Sequence, residues 1–136
     1  MKILIDTNII IAALIKNNKA REVILSGKFE FVSPEFVLEE VNKYKKYICD
    51  KAKISSEVLD LVVNIIFEKI TLVPKEEYDE FIEESREIME RDVKDIPYVA
   101  CYFAMNCNYL WTNDLDFTGK KELKLISIKE MLELIN

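Results

Sequence analysis

The stretch KILIDTNIIIAAL, residues 2–14, determines how the rest of the chain is organised. Its short β-branched run at 3–5 is typical of a buried strand, and the apolar residues at 9–14 are typical of a helix. Asp6 therefore comes where a strand ends and a helix begins. In open α/β sheets ligands bind at this carboxyl edge. Asp6 is either part of a site or only a helix N-cap, and both interpretations stay open at this point.

The size and composition of the chain predict a single globular domain over residues 1–136. Half of the residues are hydrophobic and 32% are charged, which favours a folded core over disorder. The chain has only 2 glycines and 3 prolines. This scarcity argues against turn-rich barrels and sandwiches, and it excludes the glycine-rich loops that bind dinucleotides or triphosphates.

The chain contains no histidine. This excludes Ser-His-Asp and Cys-His catalysis as well as zinc held by histidine. Cys49, Cys101 and Cys107 are odd in number and lack C-x-x-C spacing, so neither a disulfide framework nor a zinc site is expected. They are typical of buried thiols in a reducing compartment, and we expect a cytoplasmic protein.

The net charge of −6 argues against non-specific electrostatic binding of nucleic acid. It is compatible with a nuclease, because acids that bind divalent cations count as negative until the cations are bound. Asp6 and Asn8 interrupt the first apolar run too early for a signal peptide. No apolar run approaches the roughly 20 residues of a membrane span, so no membrane association is expected.

Predicted strands and helices alternate along the chain. The strands are expected at 3–5, 29–32, 70–73, 109–112 and 125–128. The main helices are expected at 7–15, 34–47, 55–67, 74–91 and 96–105, and a last helix ends near 135. Ser33 is expected to cap the helix at 34–47, and Ser127 with Glu130 predicts a capping box. The alternation predicts right-handed βαβ units in a three-layer α/β/α sandwich around a mostly parallel sheet of four to five strands.

Five acids are predicted to converge on one edge of this sheet. Asp6 ends the first strand, and Asp114 and Asp116 follow the fourth strand. Asp95 and Glu40 lie on helices that begin at the same edge. Each acid also has an ordinary interpretation as a cap, a turn residue or a surface charge. Their common location in a chain without histidine favours a site of clustered carboxylates.

Three segments together resemble the PIN-domain family of metal-dependent nucleases. The strand followed by Asp6-Thr7-Asn8 is similar to the opening of PIN domains, and so is PEFVLEEV at residues 34–41. Asp95, the apolar helix after it and LWTNDLDF at residues 110–117 complete the resemblance. It extends from residue 2 to near residue 134, with suitable elements between the motifs.

The resemblance implies which residues form the site. The acidic quartet of the family corresponds to Asp6, Glu40, Asp95 and Asp114, and Asp116 corresponds to an auxiliary acid. Glu40 is preferred over Glu39 because the aliphatic Val41 follows it, and adjacent helical positions point about 100° apart. Asp92 is a competitor for Asp95.

Polar residues that orient the acids are also implied by the resemblance. They correspond to Thr7 or Asn8 after the first strand and to Thr112 or Asn113 after the fourth. Clustered carboxylates are expected to have raised and coupled pKa values in an empty site. Hard oxygen ligands select Mg²⁺ or Mn²⁺ over zinc.

The function that the resemblance implies is hydrolysis of RNA phosphodiester bonds, leaving 5′-phosphate and 3′-hydroxyl ends. Many small PIN proteins resemble toxins of VapBC-type toxin–antitoxin pairs, which implies an antitoxin partner and a homodimer. The apolar helix at 58–67 fits such an interface or the core equally well. The alternative is a catalytically silent PIN-like scaffold that binds RNA or a protein partner.

Two groups of basic residues are candidates for RNA binding. One group is Lys16, Lys19 and Arg21, and the other is the set of lysines between 43 and 53. The ordinary interpretation of each group is that its basic side chains belong to the solvated surface and have no binding role. Phosphoryl transfer on an aspartate is excluded, because position 8 is Asn and the third strand ends in Val73-Pro74 without an acceptor Asp.

Overall fold

A single parallel sheet forms the centre of the computed structural model, which describes residues 1–16, 18–90 and 92–136. Its strands are β1 (Lys2–Ile5), β2 (Glu30–Pro34), β3 (Ile70–Val73), β4 (Tyr109–Trp111) and β5 (Leu125–Ile126). Their order is β3-β2-β1-β4-β5, and every neighbouring pair is parallel. The prediction of a mostly parallel sheet of four to five strands is confirmed.

Helices cover both faces of this sheet. The helices on one face are α1 (Thr7–Ile15), α2 (Lys19–Leu25), α3 (Val37–Lys43), α4 (Lys45–Ala52), α5 (Ser56–Phe67) and α9 (Ile128–Ile135). Those on the other face are α6 (Lys75–Tyr78), α7 (Ile82–Met89) and α8 (Ile96–Ala104). The predicted three-layer α/β/α sandwich is therefore confirmed.

The central strand β1 is buried on both faces. Ile3 and Ile5 point into the core beneath α1 and α5, whereas Leu4 points into the core beneath α8. All three residues are fully buried. A strand covered on both sides needs a continuous apolar run rather than alternation, which is why residues 3–5 are all aliphatic.

Local capping signals fix several helix ends as the sequence predicts. Helix α1 spans the predicted residues 7–15, and the capping box of Ser127 and Glu130 opens α9. Gly27, which follows the Ser26 C-cap of α2, has φ +73°. That left-handed conformation ends the helix at low cost only for a residue without a Cβ.

The helix predicted at 34–47 is wrong in its start and in its continuity. Strand β2 continues to Pro34, and the helical segment is divided at Tyr44 into α3 and α4. Ser33 does not cap a helix but is buried, and its hydroxyl donates to the Ile5 carbonyl at 3.0 Å. Proline forces the preceding residue into extended backbone, which favours strand at Ser33.

The acidic helix predicted at 74–91 is also divided. It forms α6, a 3-10 turn at Asp79–Phe81 and α7, while its expected end at position 91 lies outside the described residues. Acids recur at three- and four-residue intervals from Glu76 to Glu84. Like charges at this spacing repel one another on a continuous helix, which is a physical reason for the interruption.

No helix in the described part of the chain has both the length and the apolar character that crossing a membrane requires.

Candidate active site

The carboxyl ends of β1 and β4 lie side by side at one edge of the sheet. Ile5 pairs with Trp111 in the parallel register, and the Asp6 backbone N–H donates to the Trp111 carbonyl at 3.4 Å. The residues that follow the two strands, Asp6 and Thr112, are therefore neighbours although 106 positions separate them. This edge is where the sequence predicts a site.

Asp6 caps helix α1 and also lines the pocket at the carboxyl edge of the sheet. One carboxylate oxygen accepts the Ile9 backbone N–H at 3.0 Å, and the other accepts a hydrogen bond from the Thr112 hydroxyl. The side chain is buried, with the residue 5% exposed. Burial raises the pKa of Asp6, and the charge of Asp114 adds to this effect, while the hydrogen bonds from Thr112 and the backbone oppose it.

Thr112 links the first acid to the last. Its hydroxyl donates to Asp6 and accepts the Asp114 backbone N–H at 2.9 Å. Asp114 in turn accepts the backbone N–H of Asp116 at 2.9 Å, which closes the 3-10 turn Leu115–Phe117. Of the two orienting residues that the resemblance allows here, Thr112 is the one that contacts the acids.

Asp95 ends the 3-10 turn Val93–Asp95 that leads into α8. Burial is the largest cause of a pKa of about 7 for Asp95, and the charges of Asp114, Asp116 and Asp92 contribute in that order of importance. Carboxylate oxygens of Asp92, Asp95 and Asp116 all lie within 4.8 Å of one another. Like charges at this separation disfavour simultaneous ionisation, and the Asp95 carboxyl is therefore only about half ionised near neutral pH.

The position of Asp92 in this cluster was not predicted. From the sequence, Asp92 is only an alternative to Asp95 as a site residue. In the structure, the turn before α8 brings the carboxylates of Asp92 and Asp95 together. Their three-residue spacing across a 3-10 turn is the signal that could have found it, since side chains at i and i+3 eclipse in that geometry.

Glu40 approaches from the opposite side, on α3. It lines the same pocket as Asp6, and its Oε1 lies 3.4 Å from the Lys43 Nζ. Glu39 is exposed and does not belong to the pocket lining. The helical geometry thus separates the two neighbouring glutamates, and Glu40 is the one that lines the pocket.

These acids open onto a pocket of about 620 Å³. Asp6, Glu40, Asp95 and Asp114 all line it. The other lining side chains are apolar, aromatic or basic: Phe36, Lys43, Tyr44, Val93, Lys94, Pro97 and Tyr98, beside Thr7 and Asn8. Asp116 reaches the site through its cluster with Asp95 rather than as part of this lining.

Tyr98 is a pocket residue that the sequence analysis missed. Its hydroxyl is hydrogen-bonded to the Thr7 hydroxyl, and the Phe36 ring packs edge-on against it with centroids 5.3 Å apart. Burial raises the pKa of Tyr98, so the phenol stays protonated. In an apolar helix a tyrosine is indistinguishable from a core residue by sequence alone. Thr7 is thus engaged by Tyr98, whereas Asn8 is exposed at the pocket.

The donor set fits a hard divalent cation. Carboxylate oxygens predominate, and soft or nitrogen ligands are absent because the chain has no histidine and its cysteines do not line the pocket. Burial is the main cause of the raised pKa values of Asp6 and Asp95, and repulsion by the neighbouring acids adds to it, so a bound cation would favour their ionised forms. Oxygen ligands of this kind suit Mg²⁺ or Mn²⁺ rather than Zn²⁺.

Comparison with known proteins agrees with this arrangement. The family model described as PIN domain matches residues 4–133, which is nearly the whole chain. No curated protein matches the sequence. The matched region contains all five strands, except for the first two residues of β1. It also contains every acid of the pocket and the Asp92–Asp95–Asp116 cluster. By fold, by the placement of its acids and by this match, the chain belongs to the PIN-domain family.

Proposed function

We propose that this protein is an Mg²⁺- or Mn²⁺-dependent endoribonuclease that hydrolyses RNA phosphodiester bonds. The observation that carries the proposal is the convergence of Asp6, Glu40, Asp95 and Asp114 on one open pocket in a chain of the PIN-domain family. The family is one of nucleases, and the acids provide the chemistry that a chain without histidine needs.

The four acids, with Asp116 as an auxiliary, are proposed to hold one or two metal ions. When bound, Mg²⁺ or Mn²⁺ supplies Lewis-acid activation of water and neutralises charge on the phosphate. Thr112 keeps the Asp6 carboxylate turned towards the pocket through its hydrogen bond. The products expected from the family resemblance are 5′-phosphate and 3′-hydroxyl ends.

The chain's own residues also shape the pocket around the substrate. The buried Tyr98–Thr7 hydrogen bond anchors α8 to the start of α1, so the helices that directly follow Asp95 and Asp6 are held together. Phe36 and Pro97 give the pocket a partly apolar wall. Such a wall limits water near the acids and strengthens their electrostatic interactions.

A role as the toxin of a toxin–antitoxin pair, with a homodimeric toxin, is the more specific part of the proposal. The exposed stripe of α5 supports an interface: Val58, Leu61 and Ile65 are 44%, 64% and 51% exposed at i, i+3 and i+7 spacing. Leu59 and Ile66 of the same helix are buried in the core. The helix therefore serves the core with one face and leaves an apolar face for a second copy.

The interface is tested by the oligomeric state of the protein. We expect wild type to sediment as a dimer and Leu61→Glu protein to sediment as a folded monomer, because a charge at the centre of the stripe opposes burial. Asn64→Glu, on the polar side of the same helix, is the matched control. A monomeric wild type would contradict the homodimer and leave the stripe to an antitoxin.

The compartment is also a matter of proposal. Cys49, Cys101 and Cys107 are all free thiols, and burial raises the pKa of Cys107 to about 12. Thiols that stay protonated react slowly with oxidants, and free cysteines are typical of proteins in a reducing compartment. We propose a cytoplasmic location, which fractionation of cells that express the protein would test.

The ribonuclease proposal is tested by cleavage of mixed-sequence single-stranded RNA with Mn²⁺, with Mg²⁺ and with chelator. Wild type and Asp6→Asn protein are purified identically, because a contaminating nuclease would be active in both. We expect cleavage that requires metal and is lost in the variant. The alternative is a catalytically silent scaffold, and it predicts metal-dependent thermal stabilisation of wild type without cleavage.

A further inference from the structure

The segment from 43 to 53 is basic in a chain that is acidic as a whole. It contains five lysines and one acid, Asp50, whereas the whole chain has a net charge of −6. Lys45 is engaged by Asp60 at 2.8 Å. Lys46, Lys51 and Lys53 are exposed on or just after α4. Their positive charge is therefore presented to solvent on one helix.

Aromatic side chains lie among these lysines. Tyr44 and Tyr47 are 46% and 50% exposed, although tyrosine is usually more buried. The Lys51 Nζ lies 5.9 Å from the centre of the Tyr47 ring. Exposed rings interspersed with lysines are the surface composition of proteins that bind single-stranded nucleic acid, where rings stack on bases and lysines follow the phosphates.

This surface is continuous with the candidate active site. Tyr44 lines the acidic pocket and immediately precedes α4, so the helix begins at the mouth of the pocket. The eight residues of α4 extend about 12 Å from that point. Tyr47 and Lys51 lie one helical turn apart along this length. A strand with its scissile phosphate in the pocket could pass directly over them.

We propose that Lys46, Tyr47, Lys51 and Lys53, the α4 track, bind the single-stranded RNA that flanks the cleaved bond. The lysines contact successive phosphates, and Tyr47 stacks on an unpaired base. The strand is single, because the bases of a duplex stack on each other and leave no face for Tyr47. The inference rests on the proposed ribonuclease function and adds to it the form of the substrate and the side from which it is held.

The first test measures binding rather than cleavage. A fluorescein-labelled 12-nucleotide oligouridine is titrated with Asp6→Asn protein in Mg²⁺ at several salt concentrations, and anisotropy is recorded. We expect Lys46→Ala with Lys51→Ala to weaken binding about ten-fold and to reduce the salt slope by about 1.4, since each lost phosphate contact on a single strand removes about 0.7. Tyr47→Ala is expected to weaken binding about ten-fold, whereas Tyr47→Phe retains stacking and binding.

The control variant carries Lys28→Ala and Lys69→Ala in the same background. Both lysines are exposed, and they precede β2 and β3 at the amino edge of the sheet, away from the pocket. The control removes the same charge as the α4 double variant. Because its lysines lie away from the pocket, we expect its affinity and salt slope to stay close to those of Asp6→Asn protein. Equal losses in the control and the α4 variants would overturn the proposal, because they would mean that net charge alone governs binding.

The second test measures cleavage with the otherwise wild-type protein. The α4 variants should raise KM for the 12-nucleotide substrate about ten-fold with kcat nearly unchanged, and they should cleave a tetranucleotide like wild type. Absence of cleavage by wild type would contradict the proposed ribonuclease function. The binding test would still show whether the α4 track binds single-stranded RNA. Unchanged RNA affinity in the α4 variants, with loss of binding to an acidic peptide, would overturn the inference in favour of a protein partner.

Discussion

Asp6 and Glu40 line the same pocket but are held in different ways. Asp6 follows the central strand, is almost fully buried and accepts hydrogen bonds from Ile9 and Thr112. Glu40 projects from α3, is partly exposed and contacts Lys43 through an ion pair at 3.4 Å. An ion pair at this exposure contributes little to stability, whereas buried hydrogen bonds to a carboxylate fix its direction.

The difference suggests a division of labour within the proposed metal centre. A carboxylate fixed before a cation arrives costs no side-chain entropy when it binds, but it is destabilised by its burial until then. A carboxylate on a helix surface can reorient and exchange Lys43 for a cation. We therefore expect Asp6 to determine whether metal binds at all and Glu40 to adjust affinity and rate.

The largest expected effect follows substitution of Asp6. Asp6→Asn should reduce the rate of RNA cleavage by about 100- to 1,000-fold, the equivalent of several kcal/mol of lost charge stabilisation. It should change the melting temperature of the metal-free protein little. The amide oxygen still accepts the Ile9 N–H, and removal of a buried charge offsets loss of the Thr112 hydrogen bond, which an amide nitrogen cannot accept. Asp6→Ala should in addition cost about 1 kcal/mol of stability through loss of the cap. A metal-free Asp6→Asn protein much less stable than wild type would contradict this separation of roles.

A smaller loss is expected for Glu40, and the chain offers its own control. Glu40→Gln should reduce cleavage about 10- to 100-fold, and higher Mn²⁺ concentration should restore part of the activity. Glu39→Gln, one position earlier and outside the pocket lining, should cleave like wild type. The measurement is the initial rate over a Mn²⁺ titration. Equal losses for the two variants would show that Glu40 acts through helix stability rather than through the site.

Thr112 tests whether orientation of Asp6 matters. Thr112→Val keeps the shape but removes the hydroxyl that donates to Asp6 and accepts the Asp114 N–H. We expect Mn²⁺ affinity to fall about 10-fold or more, as for other residues that orient metal ligands. Thr112→Ser should restore it. Calorimetric titration of the folded variants gives the affinities, and a wild-type value for Thr112→Val would falsify the orienting role.

The pH dependence of stability should reveal the raised pKa of Asp95, which burial and the neighbouring acids cause. The pKa of Asp95 is about 7 in the folded chain, above its ordinary value of 3.8. The folded state therefore binds more protons than the unfolded state between these values, and the stability due to protonated Asp95 is lost as pH rises through 7. The melting temperature of chelated protein should thus fall between about pH 4 and pH 7 and level off above that. Asp95→Asn or saturating Mg²⁺ should flatten this profile, and a parallel profile in Asp95→Asn would contradict the assignment.

The smallest effect is expected at Tyr98. Tyr98→Phe removes the buried hydrogen bond to Thr7 and should cost about 1 kcal/mol of unfolding free energy. Cleavage should change little, because the phenol holds α8 near α1 rather than acting on the substrate. Denaturant unfolding of metal-free protein gives the stability. A drop in kcat as large as that of Glu40→Gln would instead place the phenol among the residues that act on the substrate.

Much of the fold was predictable because its signals are local. The aliphatic run at 3–5, the end of α1 at Ile15 and the capping box at Ser127 each follow from neighbouring residues. The division of the helix at Tyr44 was not predictable, because neither glycine nor proline occurs near it. Pro34 favours extended backbone at Ser33, but the extension of β2 to Pro34 itself depends on pairing with Val73 of β3 across the sheet.

The same distinction between local and long-range signals holds for the candidate site. The sequence places Asp6 and Asp114 at the ends of parallel strands, which predicts a common edge of the sheet. That β1 and β4 are direct neighbours there is a finding of the structure. The role of Asp92 in the carboxylate cluster depends on the 3-10 turn before α8, which the sequence leaves as an undefined loop.

The sequence by itself determined the parallel α/β architecture and the edge at which the acids collect, because strand burial and helix capping act over a few residues. Only the tertiary structure decided which side chains touch there. The Thr112–Asp6 and Thr7–Tyr98 hydrogen bonds join residues 106 and 91 positions apart. Such pairs form only after β1, β4 and α8 have packed around one core, since it is the packing that brings their side chains within hydrogen-bonding distance.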